Sequence, residues 1–340
     1  MRTSRFTKKR LALYALLTLV ALFLLLEIGL RLFGPEHLSL TTEEKYWRLQ
    51  LHTNLFGQWD DTTAIDTESD LIPKAKTPGR KRVLCLGSSS TYGAGLADRR
   101  EAFPGQLDRL LPDVEVFNTS YGGYNSYQLT IYLSEVLTML NPDAVIFYYG
   151  GNEGYGESAK RFYPRAKEIV KQMRARGKTD QHDLEHAVRC GTADPAALGL
   201  YRLLSLSHTF LWWRDATLHA RYLADLARVA QSQVGPGMKT LPSTSAQTLD
   251  EMCRVAEAND FVLILVPEVC SASDYASKPY WHLMQEQCAY PAAICADPLR
   301  ILDAHDHQGL FIDSSHLTVT GHRRFAEWLA PIVRQVLEPE

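Results

Sequence analysis

Covalent hydrolysis of an ester needs a nucleophile, a base to take its proton, an orienter for that base, and donors where charge develops on the carbonyl oxygen. The sequence offers a residue for each. Ser89 stands in Gly87-Ser88-Ser89-Ser90-Thr91-Tyr92-Gly93, a glycine-bounded turn that can present a hydroxyl together with its own backbone N–H. The same Gly/Ser-rich turn would also suit a phosphate. Gly123, in Asn118-Thr119-Ser120-Tyr121-Gly122-Gly123, has no side chain to keep a substrate oxygen from its N–H, although a turn glycine with positive φ is the plainer reading. Asn152, in Gly150-Gly151-Asn152-Glu153, carries an amide suited to a third donor, although Asn and Gly also simply make turns. Asp313 and His316 lie three apart in Asp313-Ser314-Ser315-His316-Leu317-Thr318. That spacing lets the carboxylate accept from one imidazole nitrogen and leaves the other for Ser89.

Taken singly, each piece is common; their positions relative to the elements make them a set. Val83 to Leu86 is a short apolar run read as a strand, and Phe103, Leu107, Leu110 and Leu111 then recur at helical spacing. Val114 to Phe117 reads as a second strand. Leu129, Tyr132, Leu133, Val136, Leu137 and Leu140 mark one face of a helix that stops at Asn141-Pro142. Ala144 to Tyr149 is a third strand. The stripe Leu249, Met252, Cys253, Ala256 leads into a fourth, Phe261 to Val266, and Leu310 to Ile312 is expected as a short fifth before a closing helix carrying Phe325, Trp328, Leu329, Ile332, Val333 and Val336. Strands alternating with helices imply parallel βαβ units, hence an α/β fold: a doubly wound, flavodoxin-like sheet of five parallel strands with helices on both faces. In such a sheet ligands bind outside the carboxyl ends of the strands. Ser89, Gly123, Asn152, and the Asp313–His316 pair all follow strand ends, so the topology would bring them together.

Four such blocks in this order resemble the SGNH (GDSL-like) hydrolase superfamily, whose blocks supply serine, glycine, asparagine and histidine. The resemblance runs from about Arg82 to Leu337. It implies that Ser89 is the nucleophile, that the Ser89 and Gly123 N–H groups and the Asn152 amide form an oxyanion hole, and that Asp313 and His316 complete a triad. It calls for no cofactor and no metal. Two residues depart from the family pattern: Ser88 stands where the family often has aspartate, and Glu153 where aspartate often follows the asparagine. Neither change removes a catalytic group, but both bear on substrate preference.

The strand–helix rhythm breaks between Tyr155 and about Ser243, an insertion (155–243) too long for an ordinary loop. Its first part is basic, with Lys160, Arg161, Arg165, Lys167, Lys171, Arg174, Arg176 and Lys178, and its second, Leu200 to Arg214, is rich in Leu, Phe and Trp. Three readings stay open: a helical subdomain with a solvated basic face, a lid over the active site, or a surface resting on anionic headgroups, where Trp212 and Trp213 suit an interface. His182 and His186, four apart, have no third ligand beside them and read as a solvated helix face. His305-Asp306-His307 reads as a polar loop, and the Asn118-Thr119-Ser120 sequon as structural, being at a buried strand end.

The 340 residues suffice for one large domain or two modest ones. A formal charge of -3 gives no basic surface of the kind nucleic acid requires, so no nucleic-acid partner is expected. Residues 1–10 are basic, and 11–33 form an apolar run of about 23 residues, enough to cross a bilayer as a helix. The positive-inside bias of Arg2, Arg5, Lys8, Lys9 and Arg10 then places the N-terminus in the cytoplasm and the hydrolase domain (81–340) beyond the plasma or inner membrane, after a stalk and approach segment (34–80). A cleaved signal peptide is the rival, weakened by Gly34-Pro35-Glu36-His37, which offers no small-x-small site. Glu27 and Arg31, four apart, can pair on one face or snorkel to the interface. Of six cysteines, Cys270, Cys288 and Cys295 fall close enough for one local bridge in an oxidising compartment, while Cys85 reads as a core residue. The expected function is hydrolysis of acyl esters, with O-acetyl groups of an envelope or extracellular glycan as one substrate class. An O-acyltransferase using the same triad with a glycan acceptor and a non-catalytic assembly protein retaining the fold are the alternatives.

Overall fold

Strands covered on both faces must be apolar on both, and Val83–Leu86, Ala144–Tyr149 and Leu263–Val266 are fully buried. A computed structural model describes residues 8–33, 64–67, 70–150, 156–214, 216–217, 243–268, 279–298, 309–313 and 315–338. They form two compact units: one from residues 1–51 and 165–226, the other from 52–164 and 227–340.

The second unit contains a small antiparallel hairpin, β1 (Ala64–Asp66) and β2 (Leu71–Pro73), and a parallel sheet of β3 (Lys81–Gly87), β4 (Val114–Asn118), β5 (Ala144–Tyr149), β6 (Val262–Pro267) and β7 (Ala293–Cys295). The sheet order is β4-β3-β5-β6-β7, with Val83 beside both Val116 and Ala144. Alternate residues of β3 serve two cores, because side chains along a strand point to opposite faces. Leu84 and Leu86 join Leu129, Leu133 and Met252, under the helices Ser126–Glu135 and Ser243–Ala258. Val83 and Cys85 join Phe103, Leu107, Phe325 and Leu329, under the helices Phe103–Leu110 and Val319–Leu337. The doubly wound α/β architecture expected from the sequence is present. Ile72 of the hairpin is also fully buried in the first of these cores, so part of the approach segment is built into the domain.

One strand is misplaced in the sequence reading. Leu310–Ile312 is not the fifth strand of the sheet; the fifth is Ala293–Cys295. Phe311 makes a single antiparallel bridge to Leu317, and Ile312 N–H donates to the His316 carbonyl, so the segment pairs with its own return across a tight loop. The segment follows Gly309, at φ +91, and its backbone groups are taken by the return of the loop, Leu317 and His316, rather than by a sheet neighbour. The true β7 is equally short and follows a loop closed by a Cys288–Cys295 disulfide.

Two devices hold the sheet. At the amino end of β3, the fully buried Arg82 guanidinium pairs with Glu115 at 2.9 Å and donates to the carbonyls of Pro73, Lys74, Ala75 and Leu140. Along the edge strand β4, the Val116 and Asn118 N–H groups donate to the carboxylates of Asp108 and Asp70. The Val114 carbonyl accepts from Arg80, and that of Asn118 from Thr67.

The first unit holds α1 (Lys8–Phe33) and helices of the insertion. Ala166, Ile169, Val170 and Met173 are the buried stripe of α2 (Gly156–Ala175), whose Lys167, Lys171 and Arg174 are exposed. Arg165 and Arg176 donate to the carbonyls of Gly191 and Ala193, tying α2 to the end of α3 (Gln181–Cys190). Asp194 caps α4 (Pro195–Leu204), which starts with proline at its first position, and residues 208–214 continue as a further helical stretch.

Candidate active site

The turn after β3 is shaped by Gly87, where an added Cβ would collide with Thr91 Oγ1 and the Tyr148 carbonyl. Ser88 precedes a one-turn helix, Ser89–Tyr92, and Gly93 closes it at φ +86, a backbone angle that suits glycine. Ser89 is therefore the first residue of a helix at a strand terminus, partly exposed, with Ser90 and Thr91 buried behind it.

The loop at 313–316 brings the other half. The Asp313 carboxylate accepts from the Ser315 and His316 N–H groups, each at 2.9 Å, and its second oxygen lies 2.7 Å from His316 Nδ1. Burial alone would raise the Asp313 carboxyl, but the Ser315 N–H, the His316 ring and the His316 N–H together hold it down at about 2. With Nδ1 donating to that carboxylate, Nε2 is left as an acceptor, and it lies 2.9 Å from Ser89 Oγ. Residues 227 positions apart in sequence thus form one hydrogen-bonded chain from carboxylate to imidazole to hydroxyl.

Gly123 lies in the turn after β4 at φ +80, with Tyr121 N–H bonded to the Gly87 carbonyl, so this turn is fastened to the one carrying Ser89. Asn118 fastens it again: its amide donates to the Thr91 carbonyl at 3.2 Å and its side-chain oxygen accepts from Ser120. Asn118 is buried and bonded on both sides, a structural role. Asn152 and Glu153 lie outside the described residues, as do Cys270 and His305-Asp306-His307. The His186 ring packs edge-on against Tyr201, 5.5 Å between centroids.

Two contributors escape the sequence reading. The Ser90 hydroxyl donates to Glu268, a buried carboxylate just past β6, and lies 3.3 Å from the Ser315 carbonyl. This links the nucleophile turn to the histidine loop. The available signal was the positional rule applied to the other blocks: Glu268 is a charged residue just after an apolar strand that ends at Pro267.

Residues 85–233 match the GDSL-like Lipase/Acylhydrolase family. The chain carries a GDSL-like acylhydrolase domain. The match includes Ser89 and Gly123 and stops before Asp313 and His316. The acylhydrolase domain makes the protein an ester-hydrolysing enzyme. Among solved structures, it is similar to a G-D-S-L family protein from Desulfitobacterium hafniense DCB-2, at 14% identity over 74% of this chain and 99% of that one, TM-score 0.44. It is also similar to the acetyl xylan esterase AlAXEase, at 13% over 74% and 99%, TM-score 0.41. The lipase/acylhydrolase from Enterococcus faecalis matches at 12% over 76% and 98%, TM-score 0.40. No curated protein matches the chain.

Proposed function

We propose that this acylhydrolase cleaves carboxylic esters through an acyl-enzyme on Ser89, outside the cytoplasm and anchored by α1. The observation that carries the reading is the 2.9 Å contact between Ser89 Oγ and a His316 Nε2 freed as acceptor by Asp313. Ser89 Oγ attacks the ester carbonyl as its proton passes to Nε2. The tetrahedral oxyanion takes hydrogen bonds from the Ser89 and Gly123 N–H groups and from the Asn152 amide, the last assigned from the sequence alone. Collapse expels the alcohol, which receives the proton from Nε2. Water then attacks the acyl-enzyme, giving its proton to Nε2, and the acid leaves as that proton returns to Ser89. Asp313, ionised throughout, holds the ring and stabilises the imidazolium.

The anchor rests on Arg10–Phe33, 24 residues long and apolar enough to span, behind a basic N-terminus. Export fits the Cys288–Cys295 disulfide, since such bonds persist in oxidising compartments. An anchored enzyme on that side would face envelope or extracellular glycans, and O-acetyl esters of such glycans are the first substrates to try.

A serine-reactive fluorophosphonate applied to the full chain in detergent should label Ser89, with the adduct mapped by mass spectrometry. Labelling should vanish in His316→Ala, and turnover of p-nitrophenyl acetate should fall on the order of 10⁴- to 10⁶-fold in either Ser89→Ala or His316→Ala. Activity retained in Ser89→Ala would overturn the assignment.

A further inference from the structure

α1 presents apolar side chains all round, with one carboxylate near its outer end. From Arg10 to Phe33 along this helix, Glu27, Gly29 and Leu30 are half-buried and the rest exposed, which marks where another segment reaches it. That segment is the tip of the insertion. The Glu27 carboxylate accepts from Ser207 Oγ at 2.8 Å, from the backbone N–H groups of His208 and Thr209 at 2.9 Å, and from Thr209 Oγ1 at 2.9 Å. Arg31 donates through Nε to Glu27 at 2.9 Å and through Nη2 to the Leu206 carbonyl at 2.8 Å. Glu27 and Arg31 thus satisfy the start of the helical stretch 208–214 and the end of the loop before it, groups that in hydrocarbon would have no water to bond.

The depth of this junction follows from the helix. If Leu11 enters the hydrocarbon just after Lys8, Lys9 and Arg10, a core about 30 Å thick is crossed in about 20 residues at 1.5 Å each. The outer boundary then falls near Leu30 and Arg31, and Glu27 lies about 5 Å inside it. Residues 206–209 must lie at the same depth to reach it. Around them the exposed residues are mostly apolar, Leu200, Leu203, Leu204, Leu206, Trp212 and Trp213, while the exposed Arg202 is paired with Asp183 at 2.9 Å. Inside the hairpin, Tyr201 stacks edge-on with Phe210 and its hydroxyl accepts from Arg214, so these residues hold the two helices together and leave the six free to face outward.

We infer that α4 and residues 208–214 form a helical hairpin inserted in the outer leaflet beside the anchor, its occupant being the acyl chains of bilayer lipid. The enzyme is held to the membrane at two places, a spanning helix and a monotopic hairpin clipped to it by Glu27. This rests on the reading of α1 as an anchor.

The test uses the full chain reconstituted in phosphatidylcholine vesicles whose acyl chains are brominated near the headgroup end. Tryptophan emission should be quenched relative to unbrominated vesicles, and the quenched component should be lost in the W212F/W213F variant, folding being checked by fluorophosphonate labelling. In the unaltered protein, a diazirine-bearing phospholipid should crosslink within 195–214, which keeps the test independent of the variant. A protein that floats with the vesicles but shows neither Trp212/Trp213-dependent quenching nor crosslinks in that segment overturns the hairpin and leaves the anchor standing. Failure to float at all overturns the anchor and the hairpin together.

Discussion

Ser90 is buried and points away from the reacting atoms, toward Glu268 and the Ser315 carbonyl, so the turn that carries Ser89 is gripped from behind. The neighbour of a nucleophile need not touch substrate to matter, because displacing a reacting atom by about 1 Å can cost about 100-fold in rate. Glu268→Ala should therefore lower kcat by about 10- to 100-fold while KM for a small acetyl ester changes little. Glu268→Gln, which keeps an oxygen to accept from Ser90, should recover most of the rate. Loss of KM alone would instead mark Glu268 as a substrate contact. At this scale the positions of Ser89 and Gly123 were legible from residue type just after a sheet strand, whereas Asp313 and His316, which meet Ser89, were legible from their spacing alone, since the segment before them is not a sheet strand. Ser90 and Glu268 were not, because a buried serine–carboxylate contact between residues 178 apart has no local pattern.

Helices and strands carry two of their own consequences. His322, on the closing helix, is buried and its Nδ1 accepts from the Phe103 N–H that starts the opposite helix. Burial, aided by the nearby His316 ring, pushes its pKa from 6.5 down to about 3. Below about pH 6.5 the unfolded chain takes up a proton that the folded one refuses, so this contribution to stability is complete above that value and is lost as pH falls toward 3. The slope approaches about 1.4 kcal/mol per pH unit, or on the order of several kcal/mol across the window. Denaturation midpoints measured from pH 7 to 4 should fall less steeply in His322→Asn, which keeps an acceptor for Phe103. Arg82, fully buried, binds Glu115 and four carbonyls, and Arg82→Met should cost about 3–5 kcal/mol by leaving the buried Glu115 carboxylate without its charge partner. The double change with Glu115→Leu should regain much of that in the same unfolding measurement. The four long strands and the helical stripes between them were legible because their periodicity spans many residues. β7 was not, since three residues show no period, and Leu310–Ile312 looked like a strand only because its return partner, Leu317, lies across the Asp313–His316 loop.

For the whole molecule, sequence marks the ends of the organisation better than its middle. A basic start and a long apolar run announce α1, and the missing alternation announces an insertion, but which of its faces is covered depends on contacts such as Glu27 with Thr209, 182 positions away. The disulfide belongs to this scale too. Protein isolated from intact cells and alkylated before reduction should yield a Cys288–Cys295 linked peptide, with Cys85 modified only after unfolding because it is fully buried. Free Cys288 and Cys295 in that material would place the domain in a reducing compartment.

Confinement to a membrane plane raises the local concentration of any protein, and an open parallel sheet meets its own copies edge first. Asp70, Asp108, Arg80 and Thr67 already occupy backbone groups along β4, so a neighbouring copy arriving there finds rungs taken by side chains of the same molecule. The opposite margin offers only three residues beside a closed disulfide loop. If α1 anchors the chain, copies crowded on one surface can collide often without zipping together.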